Sequence, residues 1–209
     1  MERFLTSDRF ISFHRNKEDV SKFPEDKLNI GYLNEKFIQF LIHLNNNDDS
    51  LIIKTLKEIT NDLHEGCEIF QYAIEFKEVA VKIIYHLINN TNDEIRINSA
   101  LAFKQFCKLY KSRDMIESLS FFEKIQSVID DKNEFVRLYV VEGLIEYVKF
   151  RHGKEVLHQH NILEKIIIKV DNEKSELILN KFMVLTNEIL HVNEATITAL
   201  KNNYIQIQL

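Results

Sequence analysis

The stretch His64-Glu65-Gly66-Cys67-Glu68 begins like the helix of a zinc peptidase, where two histidines one turn apart hold the metal and a glutamate acts as base. Glu68 stands where the second histidine is required, so two imidazoles cannot meet one ion. His158 and His160 form a close pair, but the chain spacing puts them in a loop ahead of a helix starting near Ile162. The run NNNDDS (Asn45–Ser50) offers oxygen ligands, yet it lacks the central glycine and closing glutamate of a calcium loop. It reads as a turn between helices. Gly153-Lys154 has no glycine five residues before the lysine and no Ser or Thr after it, so it cannot cradle a phosphate. Cys107, set among Phe103, Phe106 and Tyr110, reads as core. No nucleophile and base share the spacing that catalysis needs. The expectation is no catalytic residue, no metal, no cofactor and no small-molecule substrate.

The elements that carry these residues follow from composition and periodicity. Four glycines and one proline are too few for the turns of a β-sandwich or a doubly wound α/β sheet, so the chain reads as all-α. A net charge of -5, with both signs interspersed, argues against a nucleic-acid partner, which would need a basic face. Cys67 and Cys107 lie far apart, as expected for reduced thiols in the cytoplasm. The start lacks an apolar signal region, and charges interrupt every later apolar run, so neither a signal peptide nor a membrane span is expected.

Four segments then share one layout, an apolar helix, a turn of Asn, Asp and Lys, and a second helix. Leu56, Ala100, Val141 and Phe182 correspond, as do Ile59, Phe103, Leu144 and Leu185, with offsets of 44, 41 and 41 residues. Such a period marks an armadillo/HEAT-like α-solenoid. Ser50, Asp93, Asn133 and Ser175 are placed to cap the second helices. Helices are expected near 34–45, 51–63, 76–89, 94–111, 119–130, 134–150, 161–170, 176–190 and 194–205. About four repeats would thus fill residues 34–209, behind an N-terminal arm or cap at 1–33. Ala100, Phe103, Val141, Leu144, Phe182 and Leu185 should be buried.

The stretch IEFKEVAVKIIYHLINNTNDEIRINSALAF resembles the armadillo consensus, with Ile95-Arg96 and Val136-Arg137 at the position of its apolar-arginine pair. That resemblance implies that each arginine reaches an acidic group of a neighbouring repeat, with Asp93 and Asp131 as candidates. The order and wording of the repeats is similar to the radial spoke head protein fourteen family of motile cilia. This likeness implies a non-catalytic scaffold subunit in the axoneme of a cilium or flagellum, bound to other spoke proteins. The alternative is a cytosolic or nuclear armadillo adaptor that binds a client peptide, and an enzyme with an unrecognised helical site is a third class.

A solenoid presents equivalent positions of successive inner helices as one surface. Carrying positions along the offsets gives three rows: Lys54, Asn98, Tyr139 and Asn180; Asn61, Gln105, Glu146 and Asn187; His64, Lys108, Lys149 and Leu190. Amides gathered on one face suit the donors and acceptors of an extended partner backbone. The other reading is a solvated face. Ahead of the repeats, RFLTSDRFISFHR mixes Phe4, Phe10 and Phe13 with Arg9 and Arg15, which reads as an arm over 1–20 that docks on a partner, with 21–33 as the cap over the first repeat; the other reading is that the arm itself folds back over that repeat.

Overall fold

In the computed structural model, residues 26–64, 76–109, 116, 121–149, 151–170 and 172–190 are described. They form nine helices and no strand: α1 Asp26–Leu44, α2 Asp49–His64, α3 Phe76–Asn89, α4 Asp93–Phe106, α5 Phe121–Ile129, α6 Glu134–Tyr147, α7 Arg151–Gln159, α8 Ile162–Val170 and α9 Glu176–Leu190. The helix expected at 194–205 lies outside the described residues. Two differences matter. α1 begins at Asp26, so the boundary expected at residue 33 falls inside a helix. His158 stands in the last turn of α7 rather than in a loop, because Val156 and Leu157 bury one face of that segment.

The inner helices α2, α4, α6 and α9 pack side by side in chain order, and α1, α3 and α5 line up behind them. α4 is buried on two sides rather than along one apolar stripe. Ile95, Ala102 and Phe106 join one core with α1, α2 and α3, where the Phe106 ring lies 4.9 Å from Phe76. Ala100, Phe103 and Cys107 join the next core, where Phe103 lies 4.6 Å from Phe121. The helix is a wedge between two cores. All six residues expected in the core are buried. Gly143 lets α6 approach α4 closely, since a Cβ there would stand 2.8 Å from the Phe103 ring.

The caps correct the sequence reading and reset the register. Asn133 caps α6 as expected, accepting from the Phe135 N–H at 3.0 Å. Asn92, not Asp93, caps α4 through the Glu94 N–H at 2.9 Å. Asp48, not Ser50, accepts from the Ser50 N–H at 2.9 Å ahead of α2. Ser175 directly precedes α9, and its carbonyl accepts from the Leu179 N–H. These cap positions are spaced 44, 41 and then 42 residues. The turn before α9 holds one extra residue, Asp171-Asn172-Glu173-Lys174-Ser175 against Asp130-Asp131-Lys132-Asn133. The counterparts of Val141 and Leu144 are therefore Met183 and Thr186, one place beyond the expected pair. Phe182 and Leu185 are buried instead as counterparts of Val140 and Gly143. Met183 is 61% exposed, on the side of α9 that no further described repeat covers.

Candidate protein-binding face

Turns and inner helices are stapled by a ladder of polar side chains along one edge. Arg96 grips Asp131 of the next repeat with both ends of its guanidinium, Nε to Oδ2 at 2.7 Å and Nη2 to Oδ1 at 3.1 Å. It also donates to Asp93 at 2.9 Å and to the carbonyls of Asn90 and Thr91. Both acidic partners expected for Arg96 are therefore present. For Arg137 the partner is different: its fork meets Glu173 at 2.8 and 2.9 Å, while Asp131 offers it only a backbone carbonyl. The Asp131 carboxylate is already engaged by Arg96, so the next repeat must supply the acid. Two further rungs join Asn92 to Asp49 and Asn133 to Asp93. Hydrogen bonds from Lys132, Asn133 and Arg96 hold the Asp93 carboxyl down at about 2. These arginines set the pitch of the array and are not offered to a ligand.

The inner face lies on the exposed flank of α2, α4, α6 and α9. Of the expected rows, Lys54, Asn61, His64, Lys108, Lys149, Asn180 and Asn187 are exposed, and Tyr139, Glu146 and Leu190 are half-buried. Asn98 and Gln105 are not free to grip a partner. They are only 5% and 7% exposed, and their side chains bond within their own repeat. Asn98 Nδ2 donates to the Glu94 carbonyl at 2.7 Å, and Gln105 Oε1 accepts from Lys108 Nζ at 2.8 Å. The one-residue register shift also moves the rows on α9. The counterparts of Tyr139 and Glu146 are Lys181 and Glu188, whereas Asn180 and Asn187 match Leu138 and Ile145.

The midline of the face passed unnoticed in the sequence. Counted from the caps, it runs through Lys57, Leu101, Glu142 and Val184, with Ser50, Glu94, Phe135 and Leu177 two helical turns earlier. Lys57 reaches across to Glu94 at 2.9 Å. Glu142 receives Lys104 from the preceding repeat at 2.7 Å and Lys181 from the following one at 2.8 Å. Burial pushes the Glu142 carboxyl up, but the two ammonium groups outweigh it and hold it below the ordinary range. The Lys104 ammonium also sits 5.9 Å from the Tyr139 ring, which lies 6.4 Å from Phe135. Toward the later repeats the face turns apolar, with Phe135 48%, Leu177 53% and Val184 45% exposed. Choosing positions by shared polarity hid this row. Counting from each cap would have found it.

Among the described residues no group of three His, Cys, Asp or Glu side chains could hold a metal, and no helix is long and apolar enough to cross a membrane. The arm residues Phe4, Arg9, Phe10, Phe13 and Arg15 lie outside the described residues. No family model and no curated protein matches the chain. Among solved structures it is similar to a designed armadillo repeat protein, YIII(Dq)4CqI, with a TM-score of 0.62 and 16% identity over 70% of this chain. An engineered protein, Northeast Structural Genomics Consortium target OR329, superposes with a TM-score of 0.63 and 11% identity over 72% of this chain. The fold is an armadillo-like α-solenoid. The chain spans 61% and 60% of the lengths of those two proteins, and at such identities the likeness speaks to fold alone.

Proposed function

We propose that this armadillo-like chain is a non-catalytic scaffold subunit that seats segments of partner proteins on its inner face, within the radial spoke of a motile axoneme. The observation that carries the scaffold reading is the run of equivalent exposed positions on four inner helices, ending in the uncovered Phe135, Leu177 and Val184. Large apolar side chains without cover suit an interface that is permanently occupied. A transiently used groove would be polar throughout. Lys54, Asn61, Lys108, Tyr139, Glu146 and Lys149 frame that midline and supply donors and acceptors, with Lys181 and Glu188 at the corresponding places on α9. The radial spoke setting is supported by the resemblance of the repeats in sequence.

Salt extraction of isolated axonemes tests the setting. The tagged chain is expected to stay with the axoneme through moderate salt and to leave with the spokes at high salt. Release in the first detergent wash would favour the adaptor. The face itself is tested by Phe135→Ser combined with Leu177→Ser. Both side chains are about half exposed, so melting should stay within about 0.5 kcal/mol of wild type. Rebinding to spoke-stripped axonemes should weaken at least tenfold, the factor that about 1.4 kcal/mol gives. Unchanged rebinding would move the interface off the inner face.

A further inference from the structure

The first described helix leaves open a face whose counterpart in the next repeat is buried. The residues of α3 that lie 44 positions beyond Glu35, Gln39 and Ile42 are Val79, Ile83 and His86, and these are 0%, 1% and 6% exposed. They are covered because α1 packs on them, with His86 Nε2 2.8 Å from the Leu44 carbonyl and Phe37 6.1 Å from Phe76. On α1 itself, no described repeat covers the equivalent face. Ile38 is 43% and Ile42 55% exposed there, beside a groove of about 460 Å³ that Glu35, Gln39, Phe40, His43 and Glu58 line.

The chemistry of that face differs from an ordinary repeat junction. Where α3 places Val79 and Ile83, α1 places Glu35 and Gln39. One lysine, Lys36, serves two carboxylates, Asp62 at 2.7 Å and Glu58 at 3.4 Å, and Glu35 adds a third acid. The face is thus acidic with an apolar floor. The chain just ahead of α1 has the complementary pattern: Arg3, Arg9 and Arg15 interleaved with Phe4, Phe10, Ile11 and Phe13. Reach is sufficient. Glu35 to Ile42 lies ~14–24 Å along α1 from Asp26 at 1.5 Å per residue, and the ten residues before the helix span up to ~33 Å when extended.

We propose that residues 3–15 fold back on this face, with Phe10, Ile11 and Phe13 over Ile38 and Ile42, and Arg9 and Arg15 toward Glu35 and Glu58. The arm then takes the place of a preceding repeat and closes the first end of the solenoid. This seat is independent of the inner face and of the axonemal setting.

The test is a photo-crosslinking benzoylphenylalanine in place of Ile42, whose side chain is more than half exposed, in the full-length chain. Isotopically light and heavy chains are mixed before irradiation. The expected product joins position 42 to a peptide within 3–15 of the same chain, light with light and heavy with heavy. Light–heavy products would assign the face to a second copy and overturn the proposal. Adducts elsewhere, or none, would overturn it as well. Glu35→Lys with Glu58→Lys should cut the yield about fivefold, as two exposed ion pairs of about 0.5 kcal/mol each allow. Adding Arg9→Glu and Arg15→Glu should restore it. A yield that stays low after the swap would remove the charge pairing from the proposal and overturn it.

Discussion

Arg137→Ala is expected to cost about 3 kcal/mol of stability, the low end of what breaking a buried ion pair costs. The Glu173 carboxylate it abandons is only 6% exposed and receives both ends of the guanidinium. The mutation also frees the Asp131 carbonyl, so the damage reaches back into the preceding turn. The low end applies because Arg137 itself is 16% exposed and water can enter the gap. Thermal or urea unfolding measures the loss, and a change within about 0.5 kcal/mol would mean the pair is solvated surface. The pH dependence carries a sign. Burial raises the Glu173 carboxyl, but the bonds from Arg137 and from the Ser175 N–H outweigh it, so the folded value lies below the ordinary carboxylate range. Its contribution is therefore complete above the ordinary carboxylate range and lost as pH falls through the depressed value. In the variant burial is no longer opposed by Arg137. The gap between wild type and variant should narrow as the solution is acidified through the ordinary carboxylate range and below it. A gap that stays constant throughout that acidification would rule out this account.

Phe103→Ala is expected to cost about 3–5 kcal/mol, the lost transfer energy of the ring plus the cavity left behind. Phe103 is 1% exposed and fills the space between α4, α5 and α6, against Phe121 and over Gly143. Its neighbours are rigid helices, so collapse into the cavity is limited. Because the ring ties two inner helices together, the loss should appear as an early melting of the later repeats. Hydrogen exchange should locate that opening in α5 and α6, with α2 protected longer. Uniform opening of the whole array would instead show that the repeats melt as one unit.

How much of this was legible in the sequence depended on how local the cause was. The all-α class and the period of the array follow from few glycines, one proline and a recurring apolar pattern, and those are properties of the chain itself. The burial of Phe103 and Leu144 was legible because the two stand at equivalent places on successive inner helices, 41 residues apart. The acid for Arg96 was legible as well, since Asp93 lies one turn away and Asp131 heads the next repeat.

The remainder required the tertiary structure. One extra residue in the turn ahead of α9 shifts every side chain on that helix by about 100°, enough to replace Asn180 with Lys181 on the face. Turn length is invisible to an alignment made on apolar positions, because both registers keep an apolar stripe. Asn98 and Gln105 looked available by residue type, yet packing buried them and the Glu94 carbonyl and the Lys108 ammonium took up their polar atoms. Neither candidate acid serves Arg137: Asp131 lies only six residues before it, yet its carboxylate goes to Arg96, 35 residues back, and only the stacking of repeats decides that exchange. The sequence determined that this chain winds into a repeating helical array. Which side chains the array presents was decided by the number of residues in each turn and by the competition between neighbouring repeats for the same few charges.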